Sequence, residues 1–163
     1  MKRNEYRKIN YDKYRAQQWL NEHKAGGFRC SHCRNFVVIN EMMGTANRNH
    51  CNWCLWSKHV DEAKGDRRSD CNGGMLPIGL TFKFEGRYKL GEIMLIHICS
   101  SCRKISINRI ARDDPEHTIL QLFRQSWGMN EFNRSLIAKT DIYLASKDDE
   151  KIVQLQLFGR QDY

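Results

Sequence analysis

Seven cysteines fall in this chain as three C-x-x-C pairs, Cys30/Cys33, Cys51/Cys54 and Cys99/Cys102, with Cys71 alone between the last two. A C-x-x-C turn offers two thiolates from one tight loop, half of a tetrahedral zinc site. Seven sulfurs fall one short of the eight ligands that two sites need, so a histidine has to complete the set. His59, between the second pair and Cys71, is the better candidate; His97, two residues ahead of Cys99, is the other. Closing such sites adds on the order of 10 kcal/mol to a fold. A chain of 163 residues that is only 40% hydrophobic has use for it.

The cysteine count is odd, and the opening "MKRNEYRKINYDKYR" lacks the apolar run of a secretion signal. Both features argue against a secreted disulfide framework and for reduced thiols, hence a cytoplasmic setting. Two four-ligand sets that share out one histidine resemble zinc chemistry more than an iron–sulfur cluster. No stretch approaches the length of apolar sequence that spans a bilayer.

Two pairings remain open. In one, Cys30, Cys33, Cys51 and Cys54 close the first site, and His59, Cys71, Cys99 and Cys102 the second. In the other, the similar turns 30/33 and 99/102 close a ribbon, leaving Cys51, Cys54, His59 and Cys71 together. The first is preferred because its closure is local and "NWCLWSK" reads as a helix start, in the manner of a treble clef. Both use the same eight ligands.

The pattern along the chain predicts a small α+β fold in three parts. Residues 1–25 form a basic N-terminal helix or arm. Residues 26–114 form a zinc-ribbon or treble-clef-like module for two zinc ions, with a strand over 36–39 and a short helix after Cys51 that stops at Gly65. "GLTFKFEGRYKLGEIMLIHI" reads as a hairpin turning at Gly86, followed by a C-x-x-C turn and a returning strand through Ile105 and Ile107. Residues 115–163 form a C-terminal extension. There Asp114 as N-cap and Pro115 at the first helical position open a helix carrying Ile119, Leu120, Phe123 and Trp127. The rest of the extension reads as a further helix or a strand pair, the alternation of Val153, Leu155 and Leu157 inclining toward strand.

Formal charge is +8. Residues 26–113 carry fourteen Lys/Arg against eight Asp/Glu, whereas residues 114–163 carry six against eight. Arg48, Lys58, Arg67, Arg68, Arg103, Lys104, Arg109 and Arg112 lie around the cysteine turns, where bound metal would present them at fixed spacing. A basic balance of this kind suits an anionic partner.

The strings "RNHCNWCLWSKHVD", "GDRRSDCNGGMLPIGL", "GEIMLIHICSSC" and "NRIARDD" resemble, in that order, the RNHCP domain, a small cysteine-rich domain named for Arg-Asn-His-Cys-Pro. The resemblance covers about 28–114. Asn52 stands where the name has proline, and Arg103 follows Cys102 where such knuckles usually carry glycine. The family implies zinc binding and leaves the activity open. It also marks Arg48, Asn49, His50, Asp61, Asp66, Arg67 and the Asn108-Arg109 pair as motif residues outside the ligand set. Asn49 and His50 are expected to brace the turn through backbone groups, and Asp61 to orient His59 through its free ring nitrogen.

Three readings of function follow. The first is a zinc-stabilised RNA-binding protein, with the ribosome as a candidate partner. Trp53 and Trp56 would then stack on bases, although core packing is the plainer expectation for both. The second is a protein-interaction module with structural zinc. The third is an HNH-like nuclease, suggested by "CNWCLWSK", but no histidine between Cys33 and Asn47 supplies the general base. No catalytic residue and no small-molecule substrate is inferred.

Overall fold

The long hairpin from "GLTFKF" to "GEIMLIHI" organises the fold. The computed structural model describes residues 26–39, 41–44, 47–84 and 90–159, with six positions between 13 and 24. Those six positions are helical; the rest of the expected N-terminal arm lies outside the described residues, as does the turn at Gly86. A small antiparallel pair, β1 (Gly27–Arg29) and β2 (Phe36–Val38), opens the domain. A four-stranded antiparallel sheet follows in the order β3 (Ser57–Lys58), β4 (Gly74–Phe84), β5 (Leu90–Cys99) and β6 (Ile105–Arg109).

Strands β4 and β5 read as near-continuous apolar runs because both faces of the sheet are covered. One face packs Leu80, Phe82, Ile93 and Leu95 against Ile119, Leu120 and Phe123 of helix α1 (Glu116–Ser126) and Val153 of helix α3 (Glu150–Phe158). The other packs Ile78, Ile96 and Ile98 against Ile137 of helix α2 (Glu131–Ala138). A third apolar cluster, Phe28, Cys30, Val37, Cys51 and Val60, sits under the β1–β2 pair. Pro77 lies inside β4, where the register shifts between Pro77 and Gly79. A bulge accommodates a residue that has no N–H to give.

Three expectations are corrected. No helix follows Cys51: residues 52–54 form a turn, the chain enters β3 at Ser57, and Gly65 ends a loop at a φ of 78°. The end of the extension forms helices α2 and α3, not a strand pair. Val153 is buried and Leu155 is 49% exposed, so the alternating apolar residues do not share a face. Local caps decide the matter. Ser146 and Asp149 form a capping box ahead of α3, and Gly159 closes it in the left-handed conformation. Finally, Pro115 rather than Asp114 occupies the cap position of α1, because the Asp114 carboxylate is engaged elsewhere.

Candidate metal centres

All three C-x-x-C turns share one backbone design. The N–H of the first cysteine donates to a carbonyl five residues on: Cys30 to Asn35 O, Cys51 to Trp56 O and Cys99 to Lys104 O, each at 2.9 Å. Four residues on, the N–H of Arg34, Leu55 and Arg103 donates back to the first cysteine's carbonyl at 2.9–3.0 Å. Those three residues have φ of 70°, 62° and 66°. Glycine normally fills such a left-handed position, and a larger residue there costs on the order of 1 kcal/mol. The chain thus carries three equivalent knuckles. The pair 51/54 is one of them rather than a helix start, and the treble-clef detail does not apply to it.

The knuckles bring the ligands into two groups. Cys30, Cys33, Cys51 and Cys54 form one, and His59, Cys71, Cys99 and Cys102 the other, with the ligand atoms of each group within 4.8 Å of one another. In the first, Cys30 Sγ lies 3.7 Å from Cys54 Sγ and Cys33 Sγ lies 3.6 Å from Cys51 Sγ. In the second, Cys71 Sγ lies 3.6 Å from Cys99 Sγ and His59 Nδ1 lies 3.2 Å from Cys102 Sγ. All seven cysteines are free of disulfides. This is the sequential pairing, not the ribbon.

Electrostatics call for a cation in the first group. Hydrogen bonds with Cys51, then Cys54, pull the Cys30 thiol far below its ordinary range. The interaction with Cys30 in turn pushes Cys51 up to about 12 and raises Cys54 as well. Four sulfurs this close share one negative charge with ease and resist more, so a divalent ion is what allows them all to ionise. In the second group, burial and then Lys104 lower the pKa of His59, keeping the imidazole neutral as a ligand must be. The donor sets fit two zinc ions. With four protein ligands at each, no coordination position is left for a substrate or water, so zinc here supplies structure.

His97 stands apart from both groups. It is fully buried, and burial lowers its pKa to about 4. Its Nε2 lies 2.7 Å from Leu55 O, and Nδ1 accepts from Asn108 Nδ2 at 3.0 Å. A neutral ring satisfies both bonds and ties the second knuckle to β5 and β6.

The Arg-Asn-His stretch before Cys51 performs a different task from the one expected. Arg48, read as a phosphate contact, is 1% exposed. Its guanidinium donates to His50 O at 3.0 Å, Asp113 Oδ1 at 2.6 Å and Asp114 Oδ1 at 2.8 Å. His50 Nε2 meets Asp114 Oδ2 at 2.6 Å, and Ala111 N donates to that same oxygen at 2.8 Å. His50, expected to brace the turn through backbone groups, is instead held inside the domain by the Asp114 carboxylate. Asn49 joins Asp61 and Arg67 instead of backbone groups: its Nδ2 donates to Asp61 Oδ2 at 3.0 Å, and Arg67 donates to its Oδ1. Asp61 accepts from Arg67 N at 2.9 Å and pairs with its guanidinium, and its carboxylate does not reach His59.

The other basic residues divide by exposure. Arg68, Arg103, Arg109 and Arg112 are exposed, whereas Lys58 and Lys104 are half-buried. Lys104 donates to Glu62 O at 2.7 Å, Arg109 pairs with Glu92 at 2.9 Å, and Arg103 lies over the Phe132 ring at 6.0 Å. Arg67, paired as above, is no free surface cation. Trp53 is 60% exposed between Cys51 and Cys54, contrary to the expectation of core packing, and Trp56 stacks on His32 with ring centroids 4.0 Å apart. Arg34, at the exposed end of the first knuckle, was not foreseen. Its signal was available, since it follows Cys33 as Arg103 follows Cys102.

No curated protein and no solved structure matches the chain. A family model described as the RNHCP domain matches residues 25–120, a span that takes in both centres, all three knuckles and the Arg48–Asp114 contact. The chain belongs to the RNHCP domain family.

Proposed function

We propose that this domain binds RNA in a reducing compartment such as the cytoplasm, with zinc serving only to hold its shape. The observation that supports this most is the furnishing of the knuckles. Arg34 and Arg103 are exposed at the same position of two of them, one at each centre, and Trp53 projects from the third. Fixed cations suit a phosphate backbone, and a rigid exposed indole suits an unstacked base. Ribosomal particles are the abundant folded RNA to try first.

The test is co-sedimentation of the zinc-loaded protein with ribosomes and with total RNA across a salt series. Migration with the particles that falls steeply as salt rises supports the reading, because released counterions govern such binding. Protein that stays at the top of the gradient at every salt removes it. That outcome would favour a protein-interaction module, for which one feature speaks. Phe84 and Leu90 are exposed cross-strand partners in the β4–β5 hairpin, and the Tyr143 ring stands edge-on to Phe84 at 6.3 Å.

A further inference from the structure

The two metal centres differ in how they meet solvent. In the first no ligand is exposed, since Cys30 and Cys51 are buried and Cys33 and Cys54 half-buried. The second presents Cys102 to solvent, with Cys71 half-buried and Cys99 and His59 buried behind it. The four ligand atoms lie within 4.8 Å of one another, so Cys102 Sγ has two further thiols inside that distance. Redox-sensitive cysteines combine three features: thiolate character, access to solvent and a second thiol at hand.

Thiol ligands of a bound zinc are ionised at neutral pH, which provides the first feature. Local charge supports it. Arg103 and Lys104 follow Cys102 directly, and Lys104 lies close enough to the centre to add to burial in lowering the His59 pKa. Positive charge beside a sulfur favours the thiolate.

The other two thiols are not equivalent. Cys99 ends β5, where it pairs with Met75, and its Sγ accepts from the N–H groups of Cys102 and Ser101. Cys71 belongs to the loop ahead of β4, and its Sγ accepts from the Gly73 N–H. Held by a loop rather than a paired strand, Cys71 is the freer of the two to approach Cys102.

We propose that Cys102 is a peroxide-reactive thiol and Cys71 its resolving partner, so that oxidation closes a Cys71–Cys102 disulfide and opens the second centre. The Cys102 thiolate attacks one oxygen of hydrogen peroxide; an S–O bond forms, the O–O bond breaks and hydroxide leaves. The Cys71 thiolate then attacks the sulfenic sulfur; the S–S bond forms, the S–O bond breaks and a second hydroxide leaves. Two thiolates have given up two electrons, and peroxide has been reduced to two hydroxides. Cys99 and His59 remain, two ligands where a structural zinc site needs four. The proposal goes beyond the RNA reading and stands without it.

Hydrogen peroxide added to the zinc-loaded full chain, with a chromophoric zinc indicator present, tests this. The expected result, beyond any release seen without peroxide, is loss of one zinc per chain while the other stays bound. Peptide mapping after alkylation should find Cys71 joined to Cys102, and a dithiol reductant with added zinc should restore the starting state. Cys102→His keeps a zinc ligand that forms no disulfide, so it should hold two zinc ions and release them at least about tenfold more slowly under peroxide. Cys71→His should leave a Cys102 sulfenic acid that dimedone traps. Release from both centres at one rate overturns the proposal, as does a disulfide within the first centre or between Cys99 and Cys102. Zinc retained while free cysteine in the same tube is oxidised, or release from Cys102→His at the wild-type rate, overturns it too. The mapped disulfide decides the matter even where a variant binds zinc poorly.

Discussion

Arg48 and Asp114 stand 66 residues apart in the chain and form an ion pair of 2.8 Å in which neither side chain is exposed. Asp114 gives its other oxygen to His50 and to the Ala111 N–H. The start of the second knuckle is thereby fastened to the segment between β6 and α1. Burying two charges is costly, and the arrangement is maintained because each has its partner and further hydrogen bonds besides.

Removing one partner should therefore be worse than removing both. Arg48→Ala is expected to cost roughly 3–5 kcal/mol, leaving the Asp114 carboxylate buried without its cation. The double change Arg48→Met with Asp114→Leu should recover much of that loss. Urea denaturation of the zinc-saturated proteins measures both, and a double variant no better than the single one would contradict the argument.

Histidine variants separate ligand from buttress. His59→Ala is expected to retain one zinc per chain, whereas His97→Ala should retain two. The second variant still loses stability, by roughly 3 kcal/mol, because the Leu55 carbonyl and the Asn108 amide lose their partner. Metal analysis and a denaturation curve on each variant give the answer. One zinc in His97→Ala would shift the eighth ligand to that residue.

The two centres should also differ in how fast they surrender metal. Each centre has two buried ligands, but the other two are half-buried in the first, Cys33 and Cys54, whereas the second leaves Cys102 exposed. A chelator is expected to remove zinc in two steps, the faster belonging to the second centre. A chromophoric zinc indicator follows the release, and the fast step should be missing in His59→Ala.

The RNA reading is tested by charge at the knuckle tips. Arg34→Glu and Arg103→Glu should each weaken binding and reduce the salt slope by about 1, with zinc content unchanged. Arg68→Glu is a surface change of the same kind. Arg67→Glu is not, since it breaks the contacts to Asp61 and Asn49 and should lower stability whether or not RNA binds.

Residue types and spacing revealed the ligands because ligand chemistry is local: a C-x-x-C turn declares two zinc donors wherever it sits. Strand β2, the paired β4 and β5, and the return through Ile105 and Ile107 were legible for the same reason. What escaped depends on distant partners. Arg48 carries the same charge as Arg103, and nothing near it announces that Asp113 and Asp114 wait at the other end of the domain. Asp114 looked like a helix cap by its position before Pro115, yet its carboxylate had a stronger claim on it from Arg48 and His50. The second knuckle was mistaken for a helix start because Leu55 gives no hint of a positive φ. Helix α3 was left as one of two alternatives because alternation among Val153, Leu155 and Leu157 was weighed above Ser146, Asp149 and Gly159, the residues that bound the helix.

Ligand order along the chain has a consequence for synthesis. Every donor of the first centre lies between Cys30 and Cys54, so that centre can close while most of the domain is still unmade. The second must wait for Cys102, and the Arg48–Asp114 contact for a dozen residues more. Because domains emerge from their N-terminal end, the nascent protein would acquire its metals in that order. A growing chain would have one finished clasp in place before its central sheet could form.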